Sequence, residues 1–265
     1  VLMGIYYKDP PAHLNDSIES VLNQTFSDLE FLIVLDGSTT NELRKIVDKY
    51  ASLDSRIKLL TLENKVNFPT VLNIGIENAS GDMIARMDPD DICHKRRIEK
   101  QFKFLNKNKK VDFIGSNAEE IDENSQHLYF KTMPESQKDI EKLQTYRDAF
   151  IHPSVMFRSN FFEKYGKYSE LDEHKPFEDT ELWSRAIYKG ANGFNIQENL
   201  IKFRLDKTFF ERRGDLNYGK KEFKIRFKYL INKKLSLFFI ILQIGVFILR
   251  ICPRRLKRYL YLTLR

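Results

Sequence analysis

The sequence predicts an α/β fold, a Rossmann-like and mostly parallel sheet flanked by helices, followed by a helical tail. Three observations carry this expectation. Short apolar runs alternate with segments of helical periodicity through the first third of the chain. Two of those runs end on acids, Asp36 and Asp88, at the strand ends where open α/β sheets bind ligands. The last quarter changes character and becomes basic around one long apolar run.

Taken in order, Val1 to Tyr6 is an apolar run that predicts the first strand. Leu14, Ile18, Val21 and Leu22 recur at helical spacing, and Asn23, Gln24 and Thr25 stop that helix. Phe31 to Leu35 reads as a second buried strand, ended by Asp36-Gly37-Ser38, a turn where glycine can take a positive φ. Leu43, Ile46, Val47 and Tyr50 mark the second helix, Ile57 to Leu62 the third strand, and Thr70 to Asn78 the third helix, with Pro69 just before it. Met83 to Met87 is the fourth strand. Repeated β-α units require right-handed crossovers and hence a parallel sheet.

The chain has 265 residues, 42% hydrophobic and 31% charged, which supplies an ample core. One domain of about 200 residues plus an appendage fits better than two equal domains. Cys93 and Cys252 are far apart, without metal-ligand spacing, which argues against a disulfide framework or zinc and suits a reducing cytoplasm. No secretory signal precedes the first apolar segment. Lys202 to Arg265 holds 18 basic and 4 acidic residues, a net +14; since the whole chain carries +7, the part before it carries −7. A basic tail on an acidic body points to an anionic partner, lipid or nucleic acid.

The most informative stretch is Gly81 to Asp91, GDMIARMDPDD. Its three carboxylates, Asp88, Asp90 and Asp91, fall just past a strand and repel one another unless a cation neutralises them. Mg²⁺ or Mn²⁺ prefers such oxygen ligands and commonly bridges carboxylates to substrate phosphates. The same acids also read as a solvated turn capping a helix that starts near Lys95. Asp36, after the second strand, has the position to accept hydrogen bonds from a nucleoside base or ribose. The chain contains neither GxGxxG nor GxxxxGK[ST], so a nucleotide diphosphate held through metal rather than a glycine cradle is the remaining reading.

Four blocks now carry a resemblance. IESVLNQTFSDLEFLIVLDGST, FPTVLNIGIENASGDMIARMDPDD, IHPSVMFR at Ile151 to Arg158 and PFEDTELWSRA at Pro176 to Ala186 follow in the order seen in family 2 glycosyltransferases. These are inverting nucleotide-sugar enzymes with the GT-A fold. The openings VLMGIYYKDP and VLDGSTTNEL look most like bacterial capsular and exopolysaccharide members. Where many members carry two acids before Gly-Ser, this chain has Leu35 and then Asp36, so Asp36 alone must serve the base.

The resemblance implies transfer of a sugar from a nucleotide diphosphate, a UDP-sugar by preference, to a hydroxyl of a saccharide acceptor of the lipid-linked (polyprenyl) class. Residues 1–213 would form the GT-A domain, with a nucleotide-binding half at 1–115 and an acceptor half at 116–213, and 214–265 the tail. Asp90, with Asp88 beside it, would hold Mg²⁺ or Mn²⁺ as a Lewis acid for the leaving diphosphate, and Asp88 would also touch the ribose. Asp179 matches the family's general base; without the other blocks, Glu178-Asp179 reads as a helix N-cap. Tyr6 would meet the base or simply pack in the core, while Asn73 and Arg86 would face the diphosphate. On the acceptor side lie His152, Glu178 and Trp183, although a lone His among apolar residues and a single Trp on an apolar helix face read more readily as structure. Arg204, Arg212 and Arg213 would clamp phosphates or form a solvated face.

Two rivals fit less well. A sugar nucleotidyltransferase calls for a Gly-rich N-terminal loop, and Val1 to Pro10 has only Gly4. A nucleic-acid binder accounts for the basic tail, but there the apolar residues form one run rather than interleaved aromatics, so no nucleic-acid partner is expected.

That run, Leu235 to Leu249, is broken only by Ser236, Gln243 and Gly245. Its 15 residues span roughly 22 Å as a helix, short of the roughly 30 Å hydrocarbon core. Ser236, Gln243, Arg250 and Lys257 recur every seventh position as a thin polar stripe. Pro253 would start a second helix with Arg254, Arg255, Lys257 and Arg258 toward headgroups. The expectation is a monotopic anchor in an anionic membrane surface, on the cytoplasmic face of the plasma membrane, through 235–265. A buried core helix packed on the domain is the rival.

Overall fold

The computed structural model describes residues 1–205, 216–232 and 237–251. One central sheet organises them, with strand order β3-β2-β1-β4-β8-β6-β9-β5 and β7 paired to β6. Its first half is parallel: β1 (Leu2–Ile5), β2 (Phe31–Leu35), β3 (Ile57–Thr61) and β4 (Met83–Met87), with Leu2 opposite both Leu32 and Arg86. All five residues of β2 are buried, as expected where helices cover both faces of a parallel strand. The second half is mixed. Here β8 (Met156–Arg158) runs antiparallel between β4 and β6 (Phe113–Ile121). β9 (Gly193–Arg204) runs parallel to β6 and carries β5 (Ile92–Cys93) antiparallel on its far edge, while β7 (His127–Lys131) forms a hairpin with β6.

The helices start where local chemistry allows. In α1 (Pro11–Leu22) Pro11 occupies the first turn, where a missing N–H costs nothing, so the helix begins earlier than its apolar spacing indicates. In α2 (Asn41–Leu53) and α3 (Phe68–Asn78) the side chains of Thr40 and Asn67 accept from the N–H groups of Leu43 and Thr70. α1 and α2 cover one face of the sheet over Met3, Ile5, Ile33 and Leu35, and α3 covers the other over Leu2 and Val34. α4 (Arg97–Lys107), α5 (Gln137–Gln144), α6 (Phe161–Tyr165) and α7 (Glu178–Tyr188) surround the mixed half.

Gly37 does not take the positive φ expected of its turn; only Gly166 and Gly190 do so among the described glycines. It is required by contact instead. A Cβ there would lie 2.4 Å from the carbonyl carbon of Asn64, so the loop after β3 presses on the loop after β2.

Two tail helices follow, α8 (Leu216–Asn232) and α9 (Leu237–Ile251). Arg226 of α8 is 2% exposed, and Gln243 of α9 is buried with its amide donating to the Thr145 carbonyl. Gln243 therefore belongs to no outward polar stripe: a buried amide needs a partner, and the end of α5 supplies one. Opposite it, Ile241, Ile244 and Ile248 are 59%, 46% and 51% exposed. No described helix is long and apolar enough to cross a membrane. Arg212, Arg213 and the helix expected after Pro253 lie outside the described residues.

Candidate functional site

Strand order reverses at β1, which has β2 on one side and β4 on the other. Connections leave such a point in opposite directions and open a crevice at the carboxyl ends of the strands. Asp9, Asp36 and Asp88 follow β1, β2 and β4 into that crevice.

The centre is the loop after β4. Asp88, Asp90 and Asp91 each bring a carboxylate oxygen within 4.8 Å of the others. They do not cap α4, whose N-cap is Arg96 with no side-chain cap bond. The loop is held from several sides. Ser17 Oγ of α1 donates to the Asp88 carbonyl at 2.8 Å. At the end of β9, the Arg204 N–H donates to Asp91 Oδ1 and Arg204 Nε to the Asp90 carbonyl, both at 2.8 Å. Arg204 also donates through Nη1 to the Asp122 carbonyl at 2.9 Å and to Ser125 Oγ at 3.0 Å. It is 3% exposed, so it is a buried brace of the aspartate loop and part of no solvated face.

Burial, and then the Asp88 charge, push the Asp90 carboxyl up to about 7. Asp91 is raised as well, by burial and then by Asp90, and its Oδ2 has no hydrogen-bond partner among the described residues. Asp9, whose Oδ2 accepts from the Tyr6 N–H at 2.8 Å, is pushed up to about 8 by burial, with Asp90 and Asp88 adding to it. Crowded, desolvated carboxylate oxygens fit a hard divalent cation, which would remove the cost of ionising them together. A pH dependence follows. Carboxyls raised to about 7 and 8 bind protons more tightly folded than unfolded, where the value is near 3.8. Metal-free stability therefore falls as pH rises from about 4 to about 8. A cation competes with those protons, so the rise in Tm on adding Mn²⁺ should be larger at pH 8 than at pH 6. Calorimetry at the two pH values checks this, and an equal rise at both counts against cation binding here.

Arg86 is 4% exposed, forms an ion pair with Asp88 and lies over the Phe68 ring at 5.4 Å. Burial opposes its charge, but Asp88 holds the guanidinium above its ordinary value. Around it lie groups from the mixed half. His152 Nε2 is 2.7 Å from the Tyr168 hydroxyl, and burial, with Arg86 nearby, keeps the imidazole neutral, well below its usual value. Glu178, raised by burial, feels both Arg86 and Asp88. Asp179 Oδ1 accepts from the Thr180 N–H at 2.7 Å. Neither acid caps α7, whose N-cap is Phe177; they stand in its first turn, where the helix dipole favours negative charge.

Asp36 is 3% exposed, with Oδ1 accepting from the Ser38 N–H at 2.6 Å, and Tyr6 sits beside it at the end of β1 with its ring edge-on to Tyr7. Two expectations are corrected. Asn73 does not face a diphosphate: its amide donates to the Tyr168 carbonyl and to Glu170 Oε1, and its oxygen accepts from the Tyr168 N–H. It pins the 168–170 segment. Trp183 is fully buried, stacked on Phe113 with ring centroids 5.5 Å apart and on Phe157 at 5.6 Å, so it cannot stack on a sugar.

Sequence reasoning passed over Asp9 and Tyr168. Asp9 had a signal, an acid before Pro10 at the end of a predicted strand. Tyr168 had none, because it arrives from the far half of the chain.

The family described as "Glycosyl transferase family 2" matches residues 2–166. The chain is 32% identical to the UDP-Gal:alpha-D-GlcNAc-diphosphoundecaprenol beta-1,3-galactosyltransferase of Escherichia coli, over 98% of this chain and 94% of that one. It is 29% identical to the amylovoran biosynthesis glycosyltransferase AmsE of Erwinia amylovora, over 98% and 97%. Among solved structures, S. aureus TarS 1-349 in complex with UDP aligns with a TM-score of 0.66 at 16% identity, covering 89% of this chain and 66% of that one. The mannosyltransferase PcManGT from Pyrobaculum calidifontis, in complex with GDP-Man and Mn²⁺, aligns with a TM-score of 0.61 at 12% identity, covering 86% and 63%.

Proposed function

The chain belongs to glycosyl transferase family 2, and from that premise we propose that it moves a sugar, with inversion, from a UDP-sugar to a hydroxyl of a lipid-linked saccharide in surface polysaccharide assembly. The observation that carries this is the meeting of Asp88, Asp90 and Asp91 with Arg86 and Glu178 in one crevice, with Asp179 next to Glu178 and its charge felt by Tyr168. Asp36 and Tyr6 receive the base, and Asp88 the ribose. Asp90 and Asp88 hold Mg²⁺ or Mn²⁺, which when bound supplies a Lewis acid for the departing diphosphate. Arg86 pairs with Asp88 and adds positive charge beside the phosphates. Asp179 takes the acceptor proton as general base, with Glu178 and His152 lining the acceptor side. The nucleotide half, 1–115, binds the donor and 116–213 the acceptor. The likeness to an enzyme acting on a diphosphoundecaprenol-linked sugar supports the lipid-linked acceptor, and the UDP in its name supports the donor. Incubation with UDP-galactose, UDP-GlcNAc and GDP-mannose, with and without Mn²⁺, tests the reading: metal-dependent release of the nucleoside diphosphate supports it, and equal release in excess chelator removes the metal from it.

The lipid-linked acceptor calls for a membrane surface. The exposed face of α9, Ile241, Ile244 and Ile248, is the part that enters the leaflet, flanked by basic residues on both sides in the sequence. This puts the enzyme on the cytoplasmic face, held peripherally by 235–265. Replacing the three isoleucines by aspartate should abolish sedimentation with anionic liposomes while leaving Tm close to wild type, because about half of each of these residues is already exposed to solvent. Unchanged sedimentation would count against the membrane face.

A further inference from the structure

The tail reaches the candidate base. α8 lies against α7, and its Arg226 side chain is buried at the turn after α5. Arg226 Nη1 donates to the Gln144 carbonyl at 2.8 Å, and Nη2 donates to Asp148 Oδ1 at 2.9 Å and to Glu222 Oε1 at 3.1 Å. The same Asp148 oxygen accepts the Thr180 hydroxyl at 2.8 Å. Thr180 follows Asp179 directly, and its N–H holds Asp179 Oδ1. A continuous series of bonds therefore runs from α8 through Asp148 and Thr180 to Asp179. α9 braces the same turn, where the Gln243 amide donates to the Thr145 carbonyl.

A hydroxyl has one proton to donate. Thr180 Oγ1 is 2.8 Å from Asp148 Oδ1 and 3.5 Å from Asp179 Oδ1, so the proton goes to Asp148. Had it gone to Asp179, a further hydrogen bond there would stabilise the carboxylate and make it a weaker base. Arg226 holds Asp148 in place as the acceptor, because a buried guanidinium needs a carboxylate partner. We propose that Arg226 is a positioning residue for the transfer step: through Asp148 it fixes the Thr180 hydroxyl, and with it the orientation and basicity of Asp179. The tail helices then complete the catalytic half as well as anchoring it. This rests on the reading of Asp179 as the base.

The test is a mutant cycle in the full chain, with whichever of UDP-galactose, UDP-GlcNAc and GDP-mannose it turns over fastest. Arg226→Met should lower kcat on the order of 10-fold or more, as misorientation of a catalytic group does, and leave donor KM unchanged. Asp148→Asn, which keeps a side-chain oxygen toward Arg226 at a half-buried site, should lower kcat in the same way. In a Thr180→Val background there is no hydroxyl to direct, so neither substitution should lower kcat further. A purely structural Arg226 predicts a lower Tm with kcat unchanged, or the same factor in both backgrounds, and either result overturns the proposal. If Arg226→Met does not fold, Asp148→Asn decides alone by the same cycle. Wild-type turnover in Asp179→Asn would instead remove the base reading beneath the proposal, whereas an inactive Asp179→Asn with an additive cycle removes only the link to the tail.

Discussion

Asp179→Asn should leave donor binding intact and reduce turnover on the order of 10²–10⁴-fold, the usual contribution of a general base. The substitution is nearly isosteric, and the side-chain oxygen can still accept from the Thr180 N–H, now at 2.7 Å, so the first turn of α7 keeps its shape. What is lost is the ability to take a proton from the acceptor hydroxyl. Donor KM should not move, because the proposed nucleotide contacts lie across the crevice at Asp36 and the aspartate loop. Measuring kcat at saturating acceptor separates the two effects. If turnover stays near wild type, Glu178 is the next candidate, since it stands against Arg86 and Asp88 and burial makes it a stronger base than an exposed glutamate. His152 follows it, because its imidazole is already engaged with the Tyr168 hydroxyl.

Asp90→Ala should cost on the order of 10³-fold in turnover, the loss expected when a preorganised stabiliser of the leaving group is removed. A second readout needs no turnover. Mn²⁺ binding, followed by its electron paramagnetic resonance in the presence of UDP, should weaken in parallel. A third consequence has the opposite sign. Asp90 is pushed up to about 7 by burial and by Asp88, so ionising the loop at neutral pH costs the metal-free fold. Removing one of three crowded carboxylates relieves that cost, and the metal-free variant should melt higher than wild type at pH 8. Such a trade of stability for function is common at active sites. Full activity of Asp90→Ala would refute the metal role, and wild-type melting with loss of Mn²⁺ binding would confine the strain to its neighbours.

What the sequence determined by itself is what is local. The alternation of apolar runs and helical spacing set the parallel β-α arrangement of β1 to β4, because such runs bury both faces of a central strand such as β2. The acids of MDPDD are neighbours in the chain, so their crowding was legible before any fold was known. Local signals also failed in a consistent way. A glycine in a turn reads as a positive φ, yet Gly37 is there because the loop at Asn64 presses on it. Trp183, Asn73, Arg204 and Gln243 each looked usable or exposed, and each is buried by a partner from a distant segment: Phe113, Tyr168, Asp91 and Thr145. Side-chain orientation is decided by what packs against an element, and periodicity records only which side that is. The tertiary structure alone decided that β8 inserts beside β4, which brings Tyr168, His152 and Glu178 to Arg86 and Asp88 of the first half. It alone decided that Arg226 lies under Thr180. No spacing in the sequence encodes a contact between residues so far apart, because such a contact exists only once the sheet has set the distance between them.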